Sequence, residues 1–295
     1  MIIRSASMSD VKEITRVLEL YDLNITGEIE TTEGDTRQIL NAVPDLNTHT
    51  WVVEGDGKII GFAAVTESGG TTHPSLVAAH PEYQFKGIEK ELITKMSQSL
   101  QEGTIVVSSN NEYEHRLFEE NGFQPVRYWF NMKIDLSKSP VMEAELPSGY
   151  TMETFQLSRD EEEIYQAFEE SFQTHYGYSP STQEEFLKRT EHEGFDPNLW
   201  LLLKEGEEIA GFVFCKRSTD RHAEITHLGV RPAWRKKGLG KVLLHQAFFT
   251  LQTEHRPVID LNVDSENGTG AVKVYESVGM KINRHFIRYD KIIKK

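Results

Sequence analysis

Three motifs occur twice in this chain, in the same order and at nearly the same spacing, and no other feature narrows the possible folds as much. Trp51-Val-Val-Glu-Gly-Asp-Gly-Lys-Ile-Ile-Gly61-Phe62 is echoed by Leu201-Leu-Leu-Lys-Glu-Gly-Glu-Glu-Ile-Ala-Gly211-Phe212. Each reads as a strand, a glycine-containing turn and a second strand, a β-hairpin. Pro81-Glu-Tyr-Gln-Phe-Lys-Gly87-Ile-Glu89 matches Pro232-Ala-Trp-Arg-Lys-Lys-Gly238-Leu-Gly240, each ahead of an amphipathic stretch. Phe118-Glu-Glu-Asn-Gly122-Phe123 matches Tyr275-Glu-Ser-Val-Gly279-Met280. Ordered repetition of this kind marks one folding unit written twice, and 295 residues suit two domains of ordinary size.

The boundary is expected in Ser137–Gly149, which carries Pro140, Pro147 and Gly149 and little apolar periodicity. That gives a first domain at 1–136, a linker at 137–147 and a second domain at 148–295. Each half is expected to open on a helix. Ser9 is placed to cap one with Val11, Ile14, Val17 and Leu18 on a single face, and Ser158 with Glu161 reads as a capping box before Ile164, Ala167, Phe168 and Phe172. In the second half a helix is expected from about Ser181 to Gly194, then the hairpin Trp200 to Cys215 and a strand from His222 to Val230. A helix from Gly238 to Gln252, a strand from Val258 to Val263, a helix from Gly270 to Val278 and terminal strands follow. Helices alternating with a mostly antiparallel sheet define a mixed α/β (α+β) fold in two tandem copies, and not a doubly wound one.

Charged residues make up 26% and hydrophobic ones 38%, enough to build cores without a long disordered tract. A net charge of −14 argues against a nucleic-acid partner and is kinder to a cationic amine. The start, Met1-Ile-Ile-Arg-Ser5, lacks a basic region followed by an apolar run, and no stretch approaches membrane-spanning length, so a cytoplasmic protein without a membrane partner is expected. Cys215 is the single cysteine; its apolar neighbours suit a small buried hydrophobe better than a catalytic thiol.

The chemistry concentrates in Val230-Arg-Pro232-Ala-Trp-Arg235-Lys236-Lys237-Gly238-Leu239-Gly240-Lys241. A strand ends, a glycine-containing loop follows, and a helix begins. A helix N-terminus offers unpaired N–H groups and partial positive charge, which can hold a pyrophosphate, and glycines let the oxygens come close. Arg235 and Lys237 add positive charge, or are simply solvated. On these features alone a generic loop and a nucleotide site both stand.

Arg235-x-x-Gly238-x-Gly240 after Val230-x-Pro232 resembles the acetyl-CoA-binding motif of the GNAT superfamily, and Asn267-Gly-Thr-Gly-Ala271-Val-Lys-Val-Tyr275-Glu-Ser-Val-Gly279-Met280 resembles that superfamily's next motif. With the hairpin, the resemblance covers nearly all of residues 148 to 295. It implies acetyl transfer from acetyl-CoA to a primary amine of a small molecule or peptide, by direct attack in a ternary complex. Such transfer needs a neutral amine, a donor to the carbonyl oxygen and a proton for the departing thiolate. Tyr275 matches the family's proton donor, the alternative being an aromatic that packs with Ala271. Glu224 stands where some members carry a general base, the alternative being an ordinary strand glutamate. His227 is the rival base, on the opposite strand face by simple alternation unless a bulge intervenes. A backbone N–H near Leu228, Gly229 or Val230 would polarise the thioester, and Asn267 either contacts the cofactor or caps the next helix.

In the first copy Gln84 stands for Arg235, Glu89 for Gly240 and Phe118 for Tyr275. A carboxylate beside a pyrophosphate is repelled and phenylalanine has no proton to give, so the first half reads as a degenerate, supporting copy that helps complete the substrate cleft. This tandem arrangement is similar to that of mycothiol synthase-like proteins. A mycothiol precursor, antibiotics, polyamines and peptides all remain open as acceptors, as does the oligomeric state, with a monomer compatible because two tandem domains can replace a dimer. The alternative function is a non-catalytic acyl-CoA-binding or sensing protein.

Overall fold

The computed structural model describes residues 1–67, 70–191 and 194–294. It divides into two compact units, Met1–Tyr128 with Phe286–Lys295, and Trp129–His285. The first runs through β1 (Ile2–Arg4), α1 (Val11–Thr26), α2 (Glu33–Asn41), α3 (Leu46–His49), β2 (Thr50–Gly55), β3 (Lys58–Val65), β4 (Thr72–Ala79), α4 (Ile88–Ser99), β5 (Glu102–Ser109) and α5 (Glu112–Glu120) into β6 (Gln124–Asp135). The second continues with β7 (Tyr150–Thr154), α6 (Glu161–Phe172), α7 (Gln183–Leu187), β8 (Trp200–Glu205), β9 (Glu208–Arg217), β10 (His222–Val230), α8 (Leu239–Thr253), β11 (Val258–Asp264) and α9 (Ala271–Ser277), ending in β12 (Lys281–Lys294).

Strand order is β1-β2-β3-β4-β5-β12 in the first unit and β6-β11-β10-β9-β8-β7 in the second. All neighbours among them pair antiparallel except β4 with β5 and β10 with β11, which are parallel. In both units alternate strand residues feed two apolar layers. In the second unit Leu201, Leu203 and Val213 pack with Leu243, Leu244, Ala247 and Phe248 of α8. Leu202, Phe212 and Phe214 face Ile164, Ala167 and Phe168 of α6. Each of the Leu, Ile, Val and Phe side chains among these contributes about 1.5–3 kcal/mol by leaving water. Cys215 is buried in the first of these layers, where desolvation pushes its thiol pKa upward, so it is a core residue.

The units do not part at the expected linker. Residues 137–147 lie inside the second unit, because α8 holds them: Gln252 Oε1 accepts from Val141 N–H (2.8 Å) and Gln246 Oε1 from Ala144 N–H (3.3 Å). The long strands are exchanged. Residues 129–135 of β6 pair with β11 in the second unit, and residues 287–294 of β12 pair with β5 in the first.

Other local expectations shift for physical reasons. Each unit opens on a short edge strand, β1 or β7, ahead of its first helix. Asp10 and not Ser9 anchors the first helix, its carboxylate accepting from Ser7 N–H at 2.8 Å. In the second unit Glu161 accepts from Ser158 N–H (2.7 Å), but Asp160 is the capping position. That residue is buried and paired with Lys204 Nζ at 3.0 Å. The helix expected from 181 to 194 is instead α7 followed by a 3₁₀ turn at Lys188–Glu191; its positions 192 and 193 lie outside the described residues.

Candidate active site

Strand β10 is the axis of the site. Its ladder with β9 shifts register between Ile225 and His227, so a bulge sits at Thr226. The extra residue reverses the alternation: Glu224 lies opposite Lys216 and His227 opposite Phe214, which places both on the α6 side of the sheet. Gly229 does not make this bulge. A Cβ there would meet the Phe212 ring at 2.4 Å, so its smallness serves close packing. On the other edge the parallel ladder with β11 is formed by His222, Ala223 and Glu224 against Val258, Ile259 and Asp260. Both strands run on to Val230 and Asp264, so they diverge, and the β10 edge from Ile225 to Val230 presents backbone groups to the gap.

At the end of β10 the loop winds through two left-handed residues, Lys236 (φ 64°) and Gly238 (φ 81°), into α8. A lysine in that conformation costs roughly 1–2 kcal/mol, which the surrounding turn must offset. Lys241 and Val242 return their N–H groups to the Gly238 carbonyl (3.0 and 3.4 Å), and the N–H groups of Leu239 and Gly240 are the donors left at the helix end. Lys236, Lys237 and Lys241 are exposed around it, Lys237 Nζ lying 3.4 Å from the Tyr150 hydroxyl. Arg235 departs from expectation. Its guanidinium donates to the carbonyls of Val230 and Ser171, both at 3.0 Å, so it pins the loop to α6.

Tyr275 projects from α9 into the apolar layer shared with α8 and is 7% exposed. Burial pushes its pKa up to about 12, and its hydroxyl makes no hydrogen bond among the described residues. Glu224 is ion-paired with Lys216 at 2.9 Å. His227 is half-buried among Phe168 (ring centroids 5.1 Å), Phe172 (5.7 Å) and Phe214 (5.9 Å). Burial, then the charge of Arg189, pushes its pKa down to about 4, so it is a neutral imidazole at physiological pH. Asn267 is neither helix cap nor open: its Oδ1 accepts from Thr269 N–H (2.8 Å), closing a turn, and Gly270 occupies the cap. A depression of about 440 Å³ lined by Ser137, Asp220, Arg221 and His255 contains none of these groups.

The first unit repeats this backbone and fills it. Strand β4 pairs with β5 only through Thr72, His73 and Pro74. Phe85 (φ 64°) and Gly87 (φ 84°) reproduce the two left-handed residues ahead of α4. Glu89, however, is buried at 4% exposure, and its carboxylate accepts from the Tyr113 hydroxyl at 3.1 Å. Tyr113 also packs on Phe85 (ring centroids 4.3 Å), and Tyr21 donates to the buried Glu114 at 2.5 Å. By the repeat, Tyr113 and Glu114 stand where the second unit has Gly270 and Ala271. Side chains thus occupy what the second unit leaves open.

Burial raises the pKa of both Glu89 and Glu114. A raised carboxyl pKa means the unfolded chain ionises first, so stability is lost as pH climbs from the unfolded value through the folded one. Glu89→Gln and Glu114→Gln should therefore gain thermal stability over the parent that is larger at pH 8 than at pH 4. Melting curves giving equal differences at both pH values would show the carboxyls to be untroubled by burial.

Two family models match the chain: one described as acetyltransferase (GNAT) family over residues 161–280, the other as acetyltransferase (GNAT) domain over residues 47–125. The chain belongs to the GNAT superfamily. This GNAT protein carries two such domains in tandem. A mycothiol acetyltransferase of Paenarthrobacter aurescens (strain TC1) is 29% identical over 240 residues, 79% of this chain and 72% of that protein. Among solved structures, a GCN5-related N-acetyltransferase from Sphaerobacter thermophilus has a TM-score of 0.84 at 27% identity, covering 100% of this chain and 96% of its own. A tandem GNAT protein from the clavulanic acid biosynthesis pathway shares the fold, with a TM-score of 0.78 at 14% identity and coverage of 100% and 99%. As a member of this family the protein is an acyltransferase that moves an acetyl group to an amine, and the non-catalytic alternative finds no support. Members use acetyl-CoA as donor. No helix among the described residues is long and apolar enough to cross a membrane.

Proposed function

We propose that the second unit binds acetyl-CoA and acetylates the primary amine of a small molecule, while the first unit is a non-catalytic copy. The observation that carries this reading is the contrast between two like backbones. Gly240 and Gly270 leave the helix end and the diverging strands open in the second, and Glu89, Tyr113 and Glu114 fill them in the first.

Acetyl-CoA supplies an activated acyl carbon and a thiolate leaving group. The N–H groups of Leu239 and Gly240, with Lys236, Lys237 and Lys241 nearby, hold its pyrophosphate. Backbone groups of Leu228, Gly229 and Val230 on the open β10 edge align the acyl arm and donate to the carbonyl oxygen as charge grows there. The amine approaches from the α6 side and forms the C–N bond. As the C–S bond breaks, Tyr275 gives its phenolic proton to sulfur; its raised pKa keeps that proton available throughout the physiological range. The surplus proton on nitrogen leaves after bond formation, when it is far more acidic than in the free ammonium, so neutral His227 suffices to take it. Glu224, held by Lys216, orients the strand or relays through water.

Titrating the protein with acetyl-CoA by calorimetry should give one site per chain, and a panel of amines should release free thiol from it. Two equivalent sites would return the first unit to the cofactor. Binding without transfer to any amine would end the catalytic assignment.

A further inference from the structure

Arg189, just beyond α7, is a guanidinium with little bonded to it. Its central carbon lies over two rings, 4.9 Å from the centroid of Phe168 and 5.1 Å from that of Phe186. Nη1 makes a long hydrogen bond of 3.4 Å to the Phe186 carbonyl, and no carboxylate among the described residues pairs with it. Arg159, Arg217 and Arg231 of the same unit each hold one or more carboxylates within 3 Å. Glu169 is the acid that Arg189 feels most, yet its two oxygens are engaged by the hydroxyls of Tyr178 and Ser181. Arg189 is half-buried, and burial pulls its pKa down. A cation that has given up water and is balanced by Glu169 only through space, without an ion pair among the described residues, is costly, and stacking uses only the faces of the guanidinium, leaving its N–H edge.

Its position relates it to the reaction. His227, turned to the α6 side by the bulge, packs on one part of the same Phe168 ring, centroids 5.1 Å apart. Phe172, whose ring meets those of Phe168 and His227, is half-buried like His227 itself. We propose that Arg189 binds a carboxylate on the acceptor, so that the substrate class is an amine bearing a free carboxylate. The proposal rests on acetyl transfer taking place in the second unit and names its acceptor chemistry. In a chain of net charge −14 a local cation favours the approach of an anionic acceptor. His227 and Arg189 both pack on the Phe168 ring, so a dipeptide, whose two extended residues span about 7 Å, is a short probe carrying both an amine and a carboxylate.

The test uses full-length protein and dipeptides with free or amidated C-termini, followed by thiol release and, independently of turnover, by calorimetric binding in the presence of CoA. The parent should favour the free carboxylate by about tenfold or more, as a charge-assisted bidentate contact does. Arg189→Gln should abolish that preference through KM, with CoA affinity unchanged. Arg189→Lys, which keeps charge without the fork, should retain part of it, and melting curves establish that both variants fold. Equal use of free and amidated peptides by the parent, or equal losses for both in Arg189→Gln, would overturn the proposal. If no peptide is acetylated, the panel of amines still tests the catalytic reading separately. Calorimetry then decides: preferential binding of the free carboxylate that Arg189→Gln removes upholds the carboxylate site, and equal or absent binding refutes it.

Discussion

Tyr275→Phe should lower kcat about 10²-fold while leaving acetyl-CoA affinity nearly unchanged, a loss in the range for removing a general acid. The substitution deletes one oxygen from a side chain otherwise held by packing against α8, so the ring and its layer persist. The hydroxyl makes no hydrogen bond among the described residues, so no donor or acceptor there is stranded when it goes. Because burial holds the phenol near pKa 12, the parent's activity should show no loss from its ionisation between pH 7 and 10. A shift of the alkaline limb into that range would point to another acid. Steady-state kinetics with unchanged kcat in the variant would leave Tyr275 as a packing residue.

Gly240→Glu should weaken acetyl-CoA binding by roughly 10²-fold or more, since a carboxylate at the helix end opposes the pyrophosphate at an effective dielectric where such repulsion is worth a few kcal/mol. The first unit already contains the result of this change: Glu89 lies folded onto the corresponding helix start. Gly240→Ala separates charge from bulk. A Cβ there finds nothing nearer than Val274 Cγ1 at 3.7 Å, so alanine should bind nearly normally. Calorimetry finding both variants equally weak would make the effect steric, and finding both normal would move the pyrophosphate elsewhere.

Much of the second unit was legible because its signals are local. The strand His222–Val230, the helix after Gly238 and the tyrosine on α9 follow from periodicity, glycines and order, and each stands within a residue or two of where those features put it. Arg235 misled because a motif shows which residue is present and not which way it turns; its partners, the carbonyls of Ser171 and Val230, come from two distant elements. The bulge at Thr226 has no sequence mark of its own, and it alone decides the face on which His227 lies. The aromatic wall of Phe168 and Phe172 had a helical four-residue spacing that reads equally as core. β1 and β7 are short edge strands without alternation, and nothing in β6 or β12 announces which sheet each half will join.

The exchange of β6 and β12 has a bearing on how the protein is made. Residues 287–294 close the first unit's sheet beside β5, yet they are made after the whole of the second unit. The N-terminal half therefore cannot finish folding first, as domains in tandem ordinarily do, but must wait with the β5 edge open until the second unit has been made. A nonsense change near residue 285 would damage the half encoded first and spare the cofactor loop. A fragment starting at 148 would keep that loop but lack the β6 residues beside β11 and carry a final strand with no partner. Severing the gene at its apparent midpoint does not separate the two halves of the molecule.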